Sequence, residues 1–320
     1  MTTSHDIENK ELKTHELKAL TTYVEVLKEK GLLVRSDLKN LDRADVLDIT
    51  YDSRNVKEGT LFFCKGRHFK KEFLEDAISR GALAYIAEDD YGIEDKPFIQ
   101  VTDVRLAMSL IGDYHFDHPG QKLTMVGITG TKGKTTTAFF MKAILDAYLK
   151  SQGLGQAGIS SSVEYFDGVD GVDATNTTPE AIELQRVLAR AVAHGTQYMV
   201  LEISSQALKY NRVDYLDFDY GVFLNIVPDH ISPIEHPTFE DYFEAKLKLF
   251  SQSKVAVINK DMDHYDRVLV EAKKCERYLE FSIENAGAEY QAKNTEYGLH
   301  TTRFTLEVDG KEEVFSLSIP

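Results

Sequence analysis

The chain is poor in cysteine, with two residues, Cys64 and Cys275, among 320. Two thiols cannot staple a chain of this length, so no disulfide framework and a reducing, cytoplasmic setting are expected. Glycine and proline are sparse at 20 and 7 residues, which excludes a collagen-like or proline-rich linker protein. No apolar run approaches the roughly 18 residues that a membrane span needs. The opening MTTSHDIENKELK has no apolar h-region, so no signal peptide is expected. Basic charge is in deficit: 37 Lys and Arg face 52 Asp and Glu, a net charge of −15. That argues against nucleic acid or an anionic membrane as the main partner. A small polyanion remains compatible, held by a local cluster of lysines and helix N-termini. Metal-type Cys/His spacing and a G-x-S-x-G elbow are also missing. What is present is a hydrophobic content of 42%, ample for a core, in a length that corresponds to about two domains.

An amphipathic stretch with Leu17, Leu20, Tyr23, Val24 and Leu27 on one face predicts a helix from about Asn9 to Lys30. Short strands are predicted at Val46–Tyr51, Thr60–Cys64, Ala84–Ala87 and Phe98–Val101, with helices at Lys71–Arg80 and Leu106–Tyr114. His118-Pro119-Gly120 is a strong breaker and marks a domain boundary, giving units 1–118 and 119–320. Beyond it, near-continuous apolar strands (Leu123–Thr129, Tyr198–Leu201, Tyr220–Ile226, Val255–Ile258) alternate with helices at Thr135–Leu149, Phe239–Phe250 and Asp263–Lys273. This pattern predicts an α/β fold with a mostly parallel sheet covered on both faces. Alternation at residues 303–308, an Asp309-Gly310 turn and Val314–Ile319 predict a closing β-hairpin.

The chemistry concentrates at the ends of these strands. Gly127-Ile128-Thr129-Gly130-Thr131-Lys132-Gly133-Lys134-Thr135-Thr136 follows a strand and opens a helix. Gly130 and Gly133 allow the tight turn that points backbone N–H groups at a phosphate. Lys134 reaches the outer phosphates and Thr135 can hold Mg²⁺. Ile128 stands where a strict Walker motif has glycine, so this is a variant P-loop. Glu202 ends the next apolar strand, at the sheet edge where open α/β folds bind ligands; it is either a metal carboxylate or a hydrated strand end. His230, after the strand 220–226, is a Mg²⁺ ligand, a phosphate contact or a structural loop residue. Asn176-Thr177-Thr178-Pro179-Glu180 reads as a helix start with Thr178 as N-cap and Pro179 at N1. Tyr51-Asp52-Ser53-Arg54 is by itself a polar turn.

Lys246 is the most informative single residue. At about 100° per residue it lies roughly 20° from Phe239, between Tyr242 and Phe243, whereas Lys248 lies about 180° away. Such a lysine either snorkels along the helix edge or is buried, and burial disfavours its charged form. A neutral amine is open to chemical modification.

Taken in order, GTKGKTTT (130–137), NTTPE (176–180), LEISSQ (201–206), Asn-Arg-Val (211–213), NIVPDH (225–230) and EAK (244–246) resemble the Mur ligases. These are ATP-dependent amide ligases of peptidoglycan precursor synthesis. YDSRNVKEGTLFFCKG (51–66) resembles the uridine-nucleotide signature of the members that add the third stem-peptide residue. Ser232–Pro237 resembles the lysine-adding type. The likeness covers roughly residues 46–260.

The resemblance implies ATP binding by Gly130, Thr131, Lys132, Gly133, Lys134, Thr135 and Thr136, with Asn225 near the nucleotide. It implies Mg²⁺ handled by Thr135, Glu202 and His230, and CO₂ carried as an N6-carboxylate on Lys246 that helps position the metal. Lys134, Lys246 and His230 would be catalytic. Tyr51, Ser53 and Arg67-His68 would hold the UDP-sugar. Asn176, Thr177, Thr178, Ser204, Tyr210 and Arg212 would hold the muramoyl-peptide. The implied substrates are UDP-MurNAc-L-Ala-D-Glu and an amino acid, L-lysine, used by a monomer. A third, C-terminal amino-acid-binding domain typical of the family is not in these 320 residues, so weak ligation by the chain alone is expected. Two other readings share the residues: a non-catalytic nucleotide-sugar-binding remnant, and a folylpolyglutamate-synthetase-like ligase, against which the YDSR segment speaks.

Overall fold

The computed structural model describes residues 16–66, 69–308 and 310–318. Two sheets organise them. The first has the order Leu33–Asp37, Phe98–Val101, Ala82–Ala87, Thr60–Phe63, Asp48–Thr50; all pairs are parallel except the one made by Leu33–Asp37. Helices Leu20–Glu29, Lys71–Ser79 and Val104–His115 accompany it.

The second sheet has nine strands, ordered Gly171–Asp173, Glu164–Phe166, Gly158–Ser160, Tyr198–Glu202, Thr124–Thr129, Phe218–Phe223, Ser253–Asn259, Arg277–Ser282 and Tyr290–Gln291. From Gly158–Ser160 onward every pairing is parallel; the hairpin at 164–173 is antiparallel. The predicted α/β class with a mostly parallel sheet is therefore observed. Residues 293–317 form a three-stranded antiparallel sheet, Lys293–Tyr297, Thr302–Val308 and Lys311–Leu317, which contains the expected hairpin. Among the described residues no helix is long and apolar enough to cross a membrane.

Several boundaries move for identifiable reasons. The first helix begins at Leu20, not near Asn9, because Lys18–Ala19 is extended and pairs with Asp45–Val46; residues 9–15 lie outside the described set. Leu17, placed on the apolar face by spacing, is 55% exposed. The predicted strand Val46–Tyr51 is split at Leu47: Asp45–Val46 pairs with one partner and Asp48–Thr50 with Thr60–Phe62 in another sheet. The helix from Phe239 stops at Leu247 and tightens into a 3₁₀ turn, Lys248–Gln252. Thr178 is not an N-cap. The helix starts at Ala181 after Glu180, and the Thr178 hydroxyl instead donates to the Glu202 carbonyl and accepts from the Ser204 N–H.

The two sheets share a core. Ala181, Ile182 and Ala189, on helix Ala181–Ala193, belong to the same apolar cluster as Leu110, Ile111 and Phe116 of helix Val104–His115. Gly112 makes this approach possible, since a Cβ there would sit 3.3 Å from the Gln185 Cγ. Arg186 crosses to the Asp48 carboxylate at 3.0 Å. The strand ends of both sheets are thereby fixed relative to one another.

Candidate functional site

The P-loop comes first. Gly133 has φ 83° and immediately precedes helix Lys134–Ser151; an L side chain is strained there by about 1–2 kcal/mol. Gly130 lies against the next strand's loop, where a Cβ would be 3.0 Å from the Leu224 Cβ. Asn225 locks the turn. Its Oδ1 accepts from the Thr131 and Lys132 N–H groups at 3.0 and 2.9 Å, and its Nδ2 donates to the Lys132 carbonyl at 3.0 Å. The Asn225 amide is thus committed to shaping the loop. Thr131 is buried and accepts from the Tyr242 hydroxyl. Lys132 is exposed and its ammonium pairs with Asp229 at 3.0 Å. Thr136 is exposed in the first helical turn.

Lys246 is 1% exposed, so of the two readings its helical angle allowed it is buried and does not snorkel, while Lys248 is exposed. Its neighbours Tyr242, Phe243 and Leu247 are buried, each such side chain contributing about 1.5–3 kcal/mol, which holds the amine inward. Its Nζ donates to the Gly130 carbonyl at 2.9 Å, and Lys134 Nζ donates to the same oxygen at 3.0 Å. The two nitrogens therefore lie within about 6 Å of each other, where like charges shift one another's titration. Burial, and next Lys134, hold the Lys246 amine well below the usual lysine range. Burial also lowers Lys134, with Glu202 opposing.

Glu202 is buried, and its two oxygens are divided. Oε2 accepts from the Thr135 hydroxyl at 2.9 Å and Oε1 from the Ser162 N–H at 3.0 Å. Ser162 gave no sequence signal beyond a run of serines. His230 adopts φ 56° and its Nδ1 meets the Glu235 carboxylate at 3.0 Å. A cavity of about 160 Å³ is lined by Lys134, Lys246, His230, Glu235, Asn176, Thr177, Thr178, Ser204, Ser205, Gln206 and Arg212. It brings five of the six residues expected on the peptide side together with Lys134 of the P-loop. The Asn176 N–H and carbonyl both bond the Tyr165 hydroxyl. Tyr210 stands apart from this cavity; its hydroxyl donates to the Ile234 carbonyl and its ring lies 4.8 Å from the Arg105 guanidinium.

A second cavity, about 820 Å³, opens at the first sheet and includes Tyr51, Ser53, Arg54, Lys65, Phe69 and Arg105. Arg67 and His68 lie outside the described residues. Lys65, on the wall of this cavity, is linked through Glu180 to Arg212 of the first. Its ammonium sits 4.1 Å from the centre of the Tyr51 ring and pairs with Glu180 at 2.8 Å, and Glu180 also pairs with Arg212 at 2.8 Å. Tyr51 hydrogen-bonds Glu183, whose carboxyl is pushed up to about 7 by burial. The sequence motifs contain all four residues of this bridge, Tyr51 and Lys65 in 51–66, Glu180 in NTTPE and Arg212 in 211–213, without showing that they meet.

No cluster of three or more His, Cys, Asp or Glu side chains able to hold a metal occurs among the described residues. The buried Glu202 carboxylate beside the Thr135 hydroxyl nonetheless suits Mg²⁺, which is usually held by one or two carboxylates together with substrate phosphates and water.

Known proteins resemble the chain in sequence and fold. The Mur ligase middle domain model matches residues 128–320. A UDP-N-acetylmuramoyl-L-alanyl-D-glutamate--L-lysine ligase from Enterococcus faecalis is 46% identical over 225 residues, covering 70% of this chain and 44% of that protein. One of the same name from Streptococcus pneumoniae is 44% identical over 251 residues, covering 77% and 51%. A solved UDP-N-acetylmuramoyl-L-alanyl-D-glutamate--2,6-diaminopimelate ligase superposes with a TM-score of 0.71 at 27% identity, over 86% of this chain and 56% of that one. MurF from Acinetobacter baumannii shares the fold with a TM-score of 0.64 at 19% identity, over 96% and 62%. The chain spans about half the length of these ligases from Enterococcus and Streptococcus. With the family's middle domain matched from the P-loop strand onward, the chain belongs to the Mur ligase family.

Proposed function

We propose that the chain is the UDP-sugar- and ATP-binding part of a ligase that joins L-lysine to UDP-MurNAc-L-Ala-D-Glu. The observation that carries this reading is the meeting of Lys134 and the buried Lys246 on one carbonyl, that of Gly130, beside Glu202 and Thr135. Residues 1–118 hold the uridine nucleotide through Tyr51, Ser53, Arg67 and His68, and residues 119–320 hold ATP. The relatives named as L-lysine ligases support the choice of amino acid.

A carboxylate resists attack by an amine. Transfer of the ATP γ-phosphoryl group to the D-glutamate carboxylate gives an acyl phosphate and ADP. The incoming amine then attacks the acyl carbon and phosphate leaves. The protein's part is positioning and charge neutralisation. P-loop N–H groups and Lys134 face the phosphates. Arg212, Thr178 and Ser204 orient the peptide carboxylate towards them. Mg²⁺, held by Thr135, Glu202 and His230, would neutralise phosphate charge. The neutral Lys246 amine adds to CO₂, forming a carbamate and releasing a proton, and so supplies a second carboxylate to a site that has one.

Calorimetry of the chain with UDP-MurNAc-L-Ala-D-Glu and with a non-hydrolysable ATP analogue tests the reading. Both should bind. Lys134→Ala should abolish nucleotide binding and spare the sugar nucleotide, and Arg212→Ala should do the reverse. Absence of both binding events refutes it.

A further inference from the structure

His230 is held by unusual means for a loop residue. Its backbone sits in the left-handed region at φ 56°, a strain that persists only where surrounding contacts over-determine it. Asp229 supplies one contact, accepting the His230 N–H at 2.9 Å through Oδ1 while Oδ2 takes the Lys132 ammonium at 3.0 Å. The ring is held separately. Nδ1 lies 3.0 Å from Glu235 Oε2. Glu235 is itself fixed, its N–H donating to the Ser232 hydroxyl at 3.1 Å and its carbonyl accepting from Lys209 Nζ at 3.0 Å.

The next residue bolts this loop to the core. His236 is 0% exposed; its Nδ1 meets Asp241 at 2.6 Å and its Nε2 meets the Ser205 hydroxyl at 2.9 Å. Asp241 Oδ2 is shared with Lys209 at 2.6 Å. Ser205, His236 and Asp241 have the residue types of a hydrolase relay. Here they join three elements, helix Ser205–Lys209, the loop and helix Phe239–Leu247, as a clamp does.

A carboxylate is acceptor-only, so the Nδ1 atom facing Glu235 carries the proton, and in the neutral ring Nε2 is then a lone-pair acceptor. We propose that Glu235 is a positioning residue for His230, fixing the tautomer that leaves Nε2 as the acceptor on a ring that lines the cavity shared with Lys134 and Lys246. A lone pair there suits a cation and not a phosphate oxygen. This rests on the function proposed above, in which His230 faces Mg²⁺, and adds Glu235 as the residue that orients it. A partner carboxylate on a metal-binding imidazole orients the ring, and its loss typically costs about 10–100-fold in metal affinity.

Long-range ¹H–¹⁵N spectra of the ¹⁵N-histidine-labelled chain at pH 8 test the tautomer, with His230 assigned by the signals missing in His230→Asn. The wild-type ring should be protonated on Nδ1. Glu235→Gln retains an acceptor oxygen and should preserve that form, whereas Glu235→Ala should shift the ring towards the Nε2–H form that free imidazole prefers. A purely structural role would change melting temperature in both variants and leave the tautomer alone. A wild-type His230 protonated on Nε2, or a tautomer unchanged in Glu235→Ala, overturns the proposal. Mn²⁺ added with ADP should broaden the His230 ring signals, with affinity about ten-fold weaker in Glu235→Ala. The expected tautomer without any Mn²⁺ broadening would support the positioning and refute the metal role assigned to His230.

Discussion

Replacing Lys246 with methionine removes one amine from a site that is 1% exposed and keeps the length of the stem. The Gly130 carbonyl keeps a donor, because Lys134 Nζ also reaches it at 3.0 Å. The change therefore isolates the cost of the amine. In the unfolded chain a lysine titrates near 10.4; in the fold, burial and Lys134 depress Lys246 well below that. Between those two values the unfolded state holds a proton that the folded state lacks, so wild-type stability falls as pH falls. The slope approaches about 1.4 kcal/mol per pH unit for one proton. Methionine has no such dependence. Lys246→Met should thus gain on wild type as pH falls below the ordinary lysine range, by at most about 1.4 kcal/mol per pH unit. Urea unfolding at successive pH values below 10 in CO₂-free buffer measures it. A margin that does not change with pH, or that narrows as pH falls, refutes a buried neutral amine.

Other residues give independent checks. Asn225→Ala removes three hydrogen bonds to the P-loop; at about 0.5–1.5 kcal/mol each it should lower stability by a few kcal/mol and weaken nucleotide binding in calorimetry more than sugar-nucleotide binding. Gly133→Ala meets no clash, with its nearest neighbour Leu224 Cδ1 at 3.8 Å, so its cost in urea unfolding should be the backbone term alone, about 1–2 kcal/mol. Glu183, raised to about 7 by burial, destabilises the fold increasingly as pH rises from the ordinary glutamate range to about 7. Glu183→Gln should therefore gain on wild type across that window and hold a constant margin above it. Lys65→Met breaks the link from Tyr51 to Glu180 and Arg212 and should raise the dissociation constant for UDP-MurNAc-L-Ala-D-Glu while leaving that for ATP unchanged.

How much could be read in advance depended on the length scale of each signal. The strand Thr124–Thr129 and its parallel neighbours were legible because burial on both faces leaves an unbroken apolar run. Gly158–Ser160, Glu164–Phe166 and Gly171–Asp173 were not, since three residues carry no period. Lys246 was legible because its helix imposes an angle on it. The Glu235–His230 pair and the His236 clamp were not, because a loop has no period and its contacts lie on other elements. Thr178 misled for a related reason. Its type and position suit a cap, but the adjacent strand end at Glu202 offers its hydroxyl a carbonyl and Ser204 an N–H, and tertiary contact prevailed over local preference.

Carbamate formation at Lys246 is the most direct test of a neutral amine and a nucleotide sharing one pocket. In ¹³C spectra of the chain with [¹³C]bicarbonate, Mg²⁺ and ADP, a single carbamate carbon should appear in wild type and be absent from Lys246→Met. No carbamate signal in wild type, or one that survives the substitution, would contradict it.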